Sequence, residues 1–232
     1  MAKPIIGIVG QVVTSKSGDD TICSWEEIRL SVIKNGGVPL LILPTNDFFY
    51  NKQEEVPLLT EQEKEDLYSI VDLCDGLIFQ GGLEWYEFDT VIYTYALEKD
   101  VPMLGICAGM QMMACVDKYN TFNDLTIPNE TFINHQEKTK RYVHEIRVEE
   151  NTLLHDIVKS RNLHVNSRHS CHIDDIKNFI ISAYEPDGII EAIEYPYKKF
   201  VLGVQWHPES MLKYDKQANK IFEYFLKICQ KK

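Results

Sequence analysis

The chain has 232 residues, 44% of them hydrophobic and 25% charged, which suits a globular protein with a sizeable core in one domain spanning 1–232. Its net charge of −11 argues against a nucleic-acid backbone or an anionic membrane as partner. No apolar run reaches the roughly 18–20 residues that span a bilayer, and the first residues, Met-Ala-Lys-Pro-Ile-Ile-Gly-Ile-Val-Gly, lack a signal-peptide cleavage pattern, so the expected location is cytoplasmic. Cysteines 23, 74, 107, 115, 171 and 229 scatter without paired spacing and read as reduced thiols.

In chain order, Pro4 to Gly10 reads as a first strand, apolar almost throughout, as in the middle of a parallel sheet. Residues 11–23 are polar and read as a loop. Ser24-Trp25-Glu26-Glu27 has capping-box spacing and opens a helix that stops at Gly36-Gly37. Val38 to Pro44 is a second strand, and 45–59 a loop on the rim of the active site. Thr60 and Glu63 form another capping box, with a helix to about Asp72. Leu73 to Phe79 is a third strand ending in Gln80-Gly81-Gly82, and a helix near 86–99 leads to the apolar run Val101 to Ile106. This βαβαβαβ order implies an open, mostly parallel, twisted sheet with helices on both faces.

Residues 116–140 are polar and aromatic and read as a loop over one edge of the site. Tyr142 to Glu150 alternates as a strand, and Leu153 to Val158 suits a short helix. Residues 162–167, 178–185, 188–195 and 200–206 read as strands, the middle pair joined at Pro186-Asp187-Gly188, which makes a smaller strand-rich extension. From Asp215 to Ile228, apolar residues recur at helical spacing in a closing helix.

Two stretches carry chemistry. In Gly105-Ile106-Cys107-Ala108-Gly109 a cysteine stands between glycines at a strand-to-helix turn, the counterpart of the Gly-x-Ser-x-Gly nucleophile elbow. A side chain at either glycine would crowd so sharp a turn, and the free N–H groups opening the next helix favour a thiolate. A buried structural cysteine would leave the same local trace. The second stretch, Val201 to Glu209, separates the two readings: an apolar strand ends in His207-Pro208-Glu209, offering a base and a group to orient it from one rigid segment. Backbone N–H groups of Ala108 and of Gly81 or Gly82 are then candidate oxyanion donors. His169-Ser170-Cys171-His172 contains zinc-ligand types, but no complementary Cys-x-x-Cys or His-x-His pair stands out elsewhere. No metal and no cofactor are therefore expected, and His135, His144, His155 and His164 read as surface or structural residues.

Gly-Ile-Cys-Ala-Gly-Met-Gln followed by Gly-Val-Gln-Trp-His-Pro-Glu resembles the class I glutamine amidotransferase superfamily. Gly-Leu-Ile-Phe-Gln-Gly-Gly (76–82), Val-Asn-Ser-Arg-His (165–169) and Pro-Asp-Gly-Ile-Ile-Glu-Ala-Ile-Glu (186–194) favour its γ-glutamyl-γ-aminobutyrate hydrolase branch, the C26 peptidases. The resemblance implies a flavodoxin-like α/β fold and a cysteine hydrolase that cleaves a γ-glutamyl amide through a thioester. It gives Cys107, His207 and Glu209 the catalytic roles and places Gln111 in the glutamyl pocket. Arg168 and His169 would lie in a loop beside the substrate. The implied partner is a small γ-glutamyl molecule, and a homodimer is left open. A glutaminase subunit feeding ammonia to a separate synthase is the alternative, with a non-catalytic regulatory module a third reading.

The chain also departs from that branch. Ala108 stands where an arginine is frequent, Leu83-Glu84-Trp85-Tyr86 follows the glycine pair in place of Asp-Val-x-Pro, and Ser170-Cys171 replaces His-Gln. A glycine-rich segment gives way to Asp117-Lys118-Tyr119-Asn120-Thr121. The altered segments are expected to face the leaving amine. Glu84, Trp85 and Tyr86 would suit a cation, through charge and cation–π contact, and Arg168 a carboxylate.

Overall fold

The structure is a computed structural model that describes residues 2–14, 20–50, 56–119, 126–130 and 133–230. Its first half runs β1 (Ile5–Val9), β2 (Gln11–Thr14), β3 (Asp20–Cys23), α1 (Glu26–Lys34), β4 (Val38–Ile42), α2 (Glu61–Val71), β5 (Gly76–Phe79), α3 (Glu87–Glu98), β6 (Met103–Ile106) and α4 (Ala108–Tyr119). The second half adds the short strands β7 (Ile127–Pro128) and β8 (Gln136–Glu137), then β9 (His144–Val148), α5 (Leu153–Val158), β10 (Asn162–Val165), β11 (Ser167–Arg168) and β12 (Cys171–His172). It closes with β13 (Ile180–Tyr184), β14 (Ile190–Glu194), β15 (Val201–Val204), a 3-10 turn (Pro208–Met211) and α6 (Lys216–Cys229).

One nine-stranded sheet, in the order β10-β9-β13-β14-β15-β6-β5-β1-β4, organises the molecule. Strands β15, β6, β5, β1 and β4 pair in parallel, and β15, β14, β13, β9 and β10 pair antiparallel. The expected parallel sheet and strand-rich extension are therefore two halves of one surface. β5, β6 and β15 are buried along their whole length, which explains why they read as unbroken apolar runs.

Side chains alternate across the sheet into two cores. Ile6, Ile8, Leu104, Ile106, Leu202 and Val204 meet α1, α5 and α6 on one face. Met103, Val201, Leu77 and Phe79 meet α2, α3 and α4 on the other. The closing helix buries Ala218, Ile221, Phe222, Phe225 and Leu226, the residues its periodicity selected, and Asp215 caps it by accepting from the Ala218 N–H at 2.8 Å. The Thr60–Glu63 capping box also forms.

Some local expectations give way to tertiary contacts. Trp25, not Ser24, is the N-cap of α1 and makes no side-chain cap. Its N–H donates to Gln80 Oε1 at 2.9 Å and its indole to the Gly81 carbonyl at 2.6 Å, so this end is fixed from the neighbouring loop. The polar 11–23 stretch forms the β2–β3 hairpin, pairing Gln11 with Cys23 through Thr14 with Asp20; its tip, with Gly18, lies outside the described residues. The expected loop at 116–140 starts later, because α4 continues to Tyr119, and it supplies β7 and β8 to pair with β12 and β11. Residues 120–125 and 131–132 of that loop, and 51–55 of the expected rim, lie outside the described residues.

Gly109 fixes how closely α4 approaches β5. A Cβ there would stand 2.1 Å from the Phe79 carbonyl oxygen, a backbone atom that no rotamer change can move. Gly109→Ala gains up to about 1 kcal/mol of helix propensity but incurs overpacking of about 1–3 kcal/mol. The denaturation midpoint of this variant is expected to fall; an unchanged or raised midpoint would show that the close approach is not required.

Candidate active site

The site is assembled at the carboxyl ends of three adjacent strands, where open α/β sheets place ligands. In-register parallel pairing sets Gly203 beside Gly105 and Val204 beside Ile106, while Phe79 lies beside Gly105 on the other side. The residues just beyond these ends are Gly81, Cys107 and His207. The Cys107 N–H donates to the Val204 carbonyl at 2.8 Å, tying the elbow to the strand that delivers the histidine.

Cys107 has φ 52°, the left-handed conformation that is strained for a residue with a side chain. This is the sharp turn its motif predicts. The flanking glycines are needed for packing: a Cβ on Gly105 would lie 2.5 Å from Met113 Sδ. Ala108 opens α4, so its N–H belongs to the first turn, where no intrahelical acceptor exists, and is available to a developing oxyanion. A Cβ on Gly81 would lie 2.8 Å from His207 Cε1 and 3.3 Å from Cys107 Cβ, so only glycine brings this loop so near the reacting groups. Gly82 packs on Gln11, whose Oε1 would lie 1.7 Å from a Cβ there.

His207 and Glu209 form the expected pair, with Nδ1 donating to Oε1 at 2.7 Å. The imidazole also hydrogen-bonds Cys107. Burial works against a charged ring here, but the Glu209 carboxylate and then Cys107 outweigh it and raise His207 to about 10. Pro208 opens the 3-10 turn that carries Glu209 back under the ring. A cavity of about 520 Å³ opens onto this centre, lined among others by Trp25, Gly81, Gly82, Lys138, Arg168 and Ser210. Cys107, His207 and Glu209 line it as well.

Two expected substrate contacts are placed elsewhere. Gln111 is 6% exposed and lies outside the cavity lining; its amide donates to the Cys171 carbonyl at 2.8 Å and to Gln205 Oε1 at 3.1 Å. Gln205 in turn directs its amide at Cys107 Sγ, 3.7 Å away, so Gln111 is linked to the sulfur through Gln205. His169 is also buried and turns from the cavity, its Nδ1 at 3.1 Å from the Cys171 carbonyl. Arg168 does reach the cavity, where Nη1 donates to Ser210 Oγ at 3.1 Å. Trp85 is buried in the α3/α4 core and offers no ring face to the cavity, because helix packing claims its side chain.

Sequence reading missed three positioning groups. Asn166 clasps the His207 backbone, donating to its carbonyl and accepting from its N–H, both at 2.8 Å. Gln80 donates to the Val9 and Cys23 carbonyls at 2.8 and 2.9 Å, locking the loop that carries Gly81. Gln205 is fully buried, a polar residue inside an apolar strand end, and that placement was the available signal.

Because Glu209 holds the proton on His207, the ring should stay charged from neutral pH to near 10 and lose its charge above that. In Glu209→Gln the larger of the opposing charges is gone, so the titration should move to lower pH. NMR of the His207 ring across pH checks this directly, and an unchanged midpoint would remove Glu209 from the role of charge partner.

Comparison with known proteins gives the family and the fold. The Peptidase C26 family model matches residues 84–209, more than half of the chain, including Cys107, His207 and Glu209. A glutamine amidotransferase-like protein of Rickettsia prowazekii is 32% identical over 216 residues, covering 66% of this chain and 77% of that protein. The γ-glutamyl-γ-aminobutyrate hydrolase of Escherichia coli is 31% identical over 148 residues, covering 60% of this chain and 58% of that one. In fold, a glutamine amidotransferase of Methylobacillus flagellatus superposes with a TM-score of 0.65 at 10% identity, covering 100% of this chain and 97% of that one. The chain belongs to the Peptidase C26 family and has the class I glutamine amidotransferase fold.

Proposed function

We propose that this glutamine amidotransferase-like hydrolase cleaves the γ-glutamyl amide of a small molecule whose leaving amine carries a carboxylate. The observation that carries the reading is the Cys107–His207–Glu209 set beside the cavity, with the cysteine on a left-handed elbow. The Cys107 thiolate attacks the γ-carbonyl, and its oxygen takes negative charge near the N–H groups of Ala108 and the Gly81-Gly82 loop. His207 gives its proton to the leaving nitrogen, and the C–N bond breaks to leave a thioester. The neutral imidazole then takes a proton from water, which attacks the thioester; the C–S bond breaks to return the thiolate beside the charged His207, and the released γ-carboxylic acid gives its remaining proton to solvent. Glu209 orients the ring and balances its charge throughout.

Charge at the cavity supports the leaving-group assignment. Lys138 and Arg168 both line it in a chain whose net charge is −11, while one of the lining acids, Glu209, is committed to His207. Glu27 is the remaining carboxylate there and suits the α-amino group of a glutamyl moiety. Glu84 is engaged by the Tyr86 hydroxyl at 3.0 Å and lines a separate pocket of about 140 Å³.

The assay compares γ-glutamyl-γ-aminobutyrate, γ-glutamyl-putrescine and free glutamine with no partner protein present. The carboxylated amide should give the highest kcat/KM; preference for the putrescine conjugate would overturn the leaving-group assignment. Ammonia release from glutamine as the dominant activity would favour a glutaminase subunit serving a synthase. Arg168→Ala should lower kcat/KM for the carboxylated amide far more than for the cationic one. His207→Ala should reduce kcat by about 100- to 10,000-fold, with Glu209→Gln costing less; retained turnover in His207→Ala would remove it from the mechanism.

A further inference from the structure

Behind the wall that carries Arg168, the fold gathers His135, His144, His169 and Glu191, all buried, with one donor atom from each within 4.8 Å of the others. They come from the approach to β8, the start of β9, the turn between β11 and β12, and the second residue of β14. The exposures are 2%, 9%, 3% and 0%, so water is nearly excluded. We propose that these four side chains form a closed structural site for a divalent transition metal, with zinc the best match.

The outer side of two of the imidazoles is hydrogen-bonded, and that of the third faces a carboxylate. His144 Nδ1 lies 2.5 Å from Glu185 Oε2, His135 Nε2 lies 3.1 Å from Asp187 Oδ2, and His169 Nδ1 lies 3.1 Å from the Cys171 carbonyl. Carboxylate or carbonyl on one nitrogen and metal on the other is the usual outer-shell arrangement of a ligating histidine; it fixes the tautomer and raises basicity. The Ser167 hydroxyl donates to the His135 carbonyl at 2.9 Å and lies 3.3 Å from His135 Nδ1, the nitrogen turned away from Asp187.

The inner atoms lack ordinary partners. Both Glu191 oxygens, both His144 nitrogens and His169 Nε2 are buried with no hydrogen-bond partner among the described residues, as are both Glu185 oxygens. Glu191 Oε1 lies 3.4 Å from His169 Nε2 and 3.8 Å from His144 Nε2. Two ligand atoms each about 2.0–2.1 Å from a tetrahedral zinc are about 3.3–3.4 Å apart, which is the Glu191–His169 separation, while His144 Nε2 at 3.8 Å would move inward on binding. A buried carboxylate without a partner is costly, and a cation between these groups would remove the cost. Three nitrogens and one oxygen suit zinc, while magnesium and calcium call for mostly oxygen ligands. Four protein ligands fill a tetrahedron and leave no position for substrate, so the site is structural.

The site would clamp β8, β11 and the turn after it to the main sheet. These are the segments beside Lys138 and Arg168, the cavity's cations. The test reads metal rather than turnover, so it stands or falls apart from the hydrolase reading. The full chain carrying Cys107→Ala, which removes the catalytic thiolate as a competing ligand, is stripped by dialysis against a chelator and titrated with zinc, then with cobalt. About one zinc per chain should bind, the melting temperature should rise, and cobalt should give the strong visible bands of a tetrahedral site. Glu185→Gln should weaken zinc binding by about 10- to 100-fold, and His169→Gln or Glu191→Gln by more. If a ligand variant fails to fold, the parent protein still decides: no zinc uptake, or a cobalt spectrum without tetrahedral bands, overturns the site. Undiminished binding in folded His169→Gln or Glu191→Gln overturns it equally.

Discussion

Everything chemical in this molecule depends on the parallel register between β6 and β15. These strands are about a hundred residues apart in the chain, yet Gly105 faces Gly203 and Ile106 faces Val204 in adjacent positions. A slip of one residue would exchange the faces of every side chain in β15, sending Val201 and Val204 to the wrong cores and His207 away from Cys107. The register is therefore enforced by burial on both faces. The placement of His207 beside Cys107 follows from the packing of Leu202 and Val204 against one helical layer and Val201 against the other.

That register places a histidine in a setting that opposes its charge. Burial alone would keep the ring neutral; Glu209 at 2.7 Å and Cys107 on the other side reverse the balance. The strained elbow has a matching logic. Left-handed backbone at a non-glycine residue costs about 1–3 kcal/mol, and the Cys107–Val204 hydrogen bond and the close seating of Gly109 on Phe79 hold it in place. Stability is spent locally so that the sulfur projects beside the cavity.

Features written in consecutive residues were legible in the sequence: the elbow glycines, His-Pro-Glu, the unbroken strands and the period of α6. Those that depend on distant partners were not. Gln111 has the right spacing to line a pocket, but Gln205, 94 positions on, and Cys171 claim its amide. Ser24 has cap chemistry, but Trp25 is pinned by Gln80 and Gly81 before a cap at Ser24 can form. Three residues of the histidine cluster, His135, His144 and Glu191, stand singly in the sequence, and only the pairing of β9, β13 and β14 brings His144 and Glu191 to one place. Single histidines carry no spacing signal, which is why the contiguous run at 169–172 drew the metal reading and three of its better partners did not.

The segment 166–171 shows why catalytic and buried polar groups occur so close together. Its first residue, Asn166, holds the His207 backbone; its last, Cys171, accepts from Gln111, which is linked through Gln205 to the sulfur. Between them Ser167 and His169 turn inward to the histidine cluster, while Arg168 turns out to the cavity. Alternation along an extended chain makes this division natural, since neighbours point to opposite sides. A short strand paired with β8 thus supplies a cation to the cavity without the freedom of a loop. The buried groups that hold it cannot relax independently of His207, so packing around His169 and geometry at His207 are constrained together.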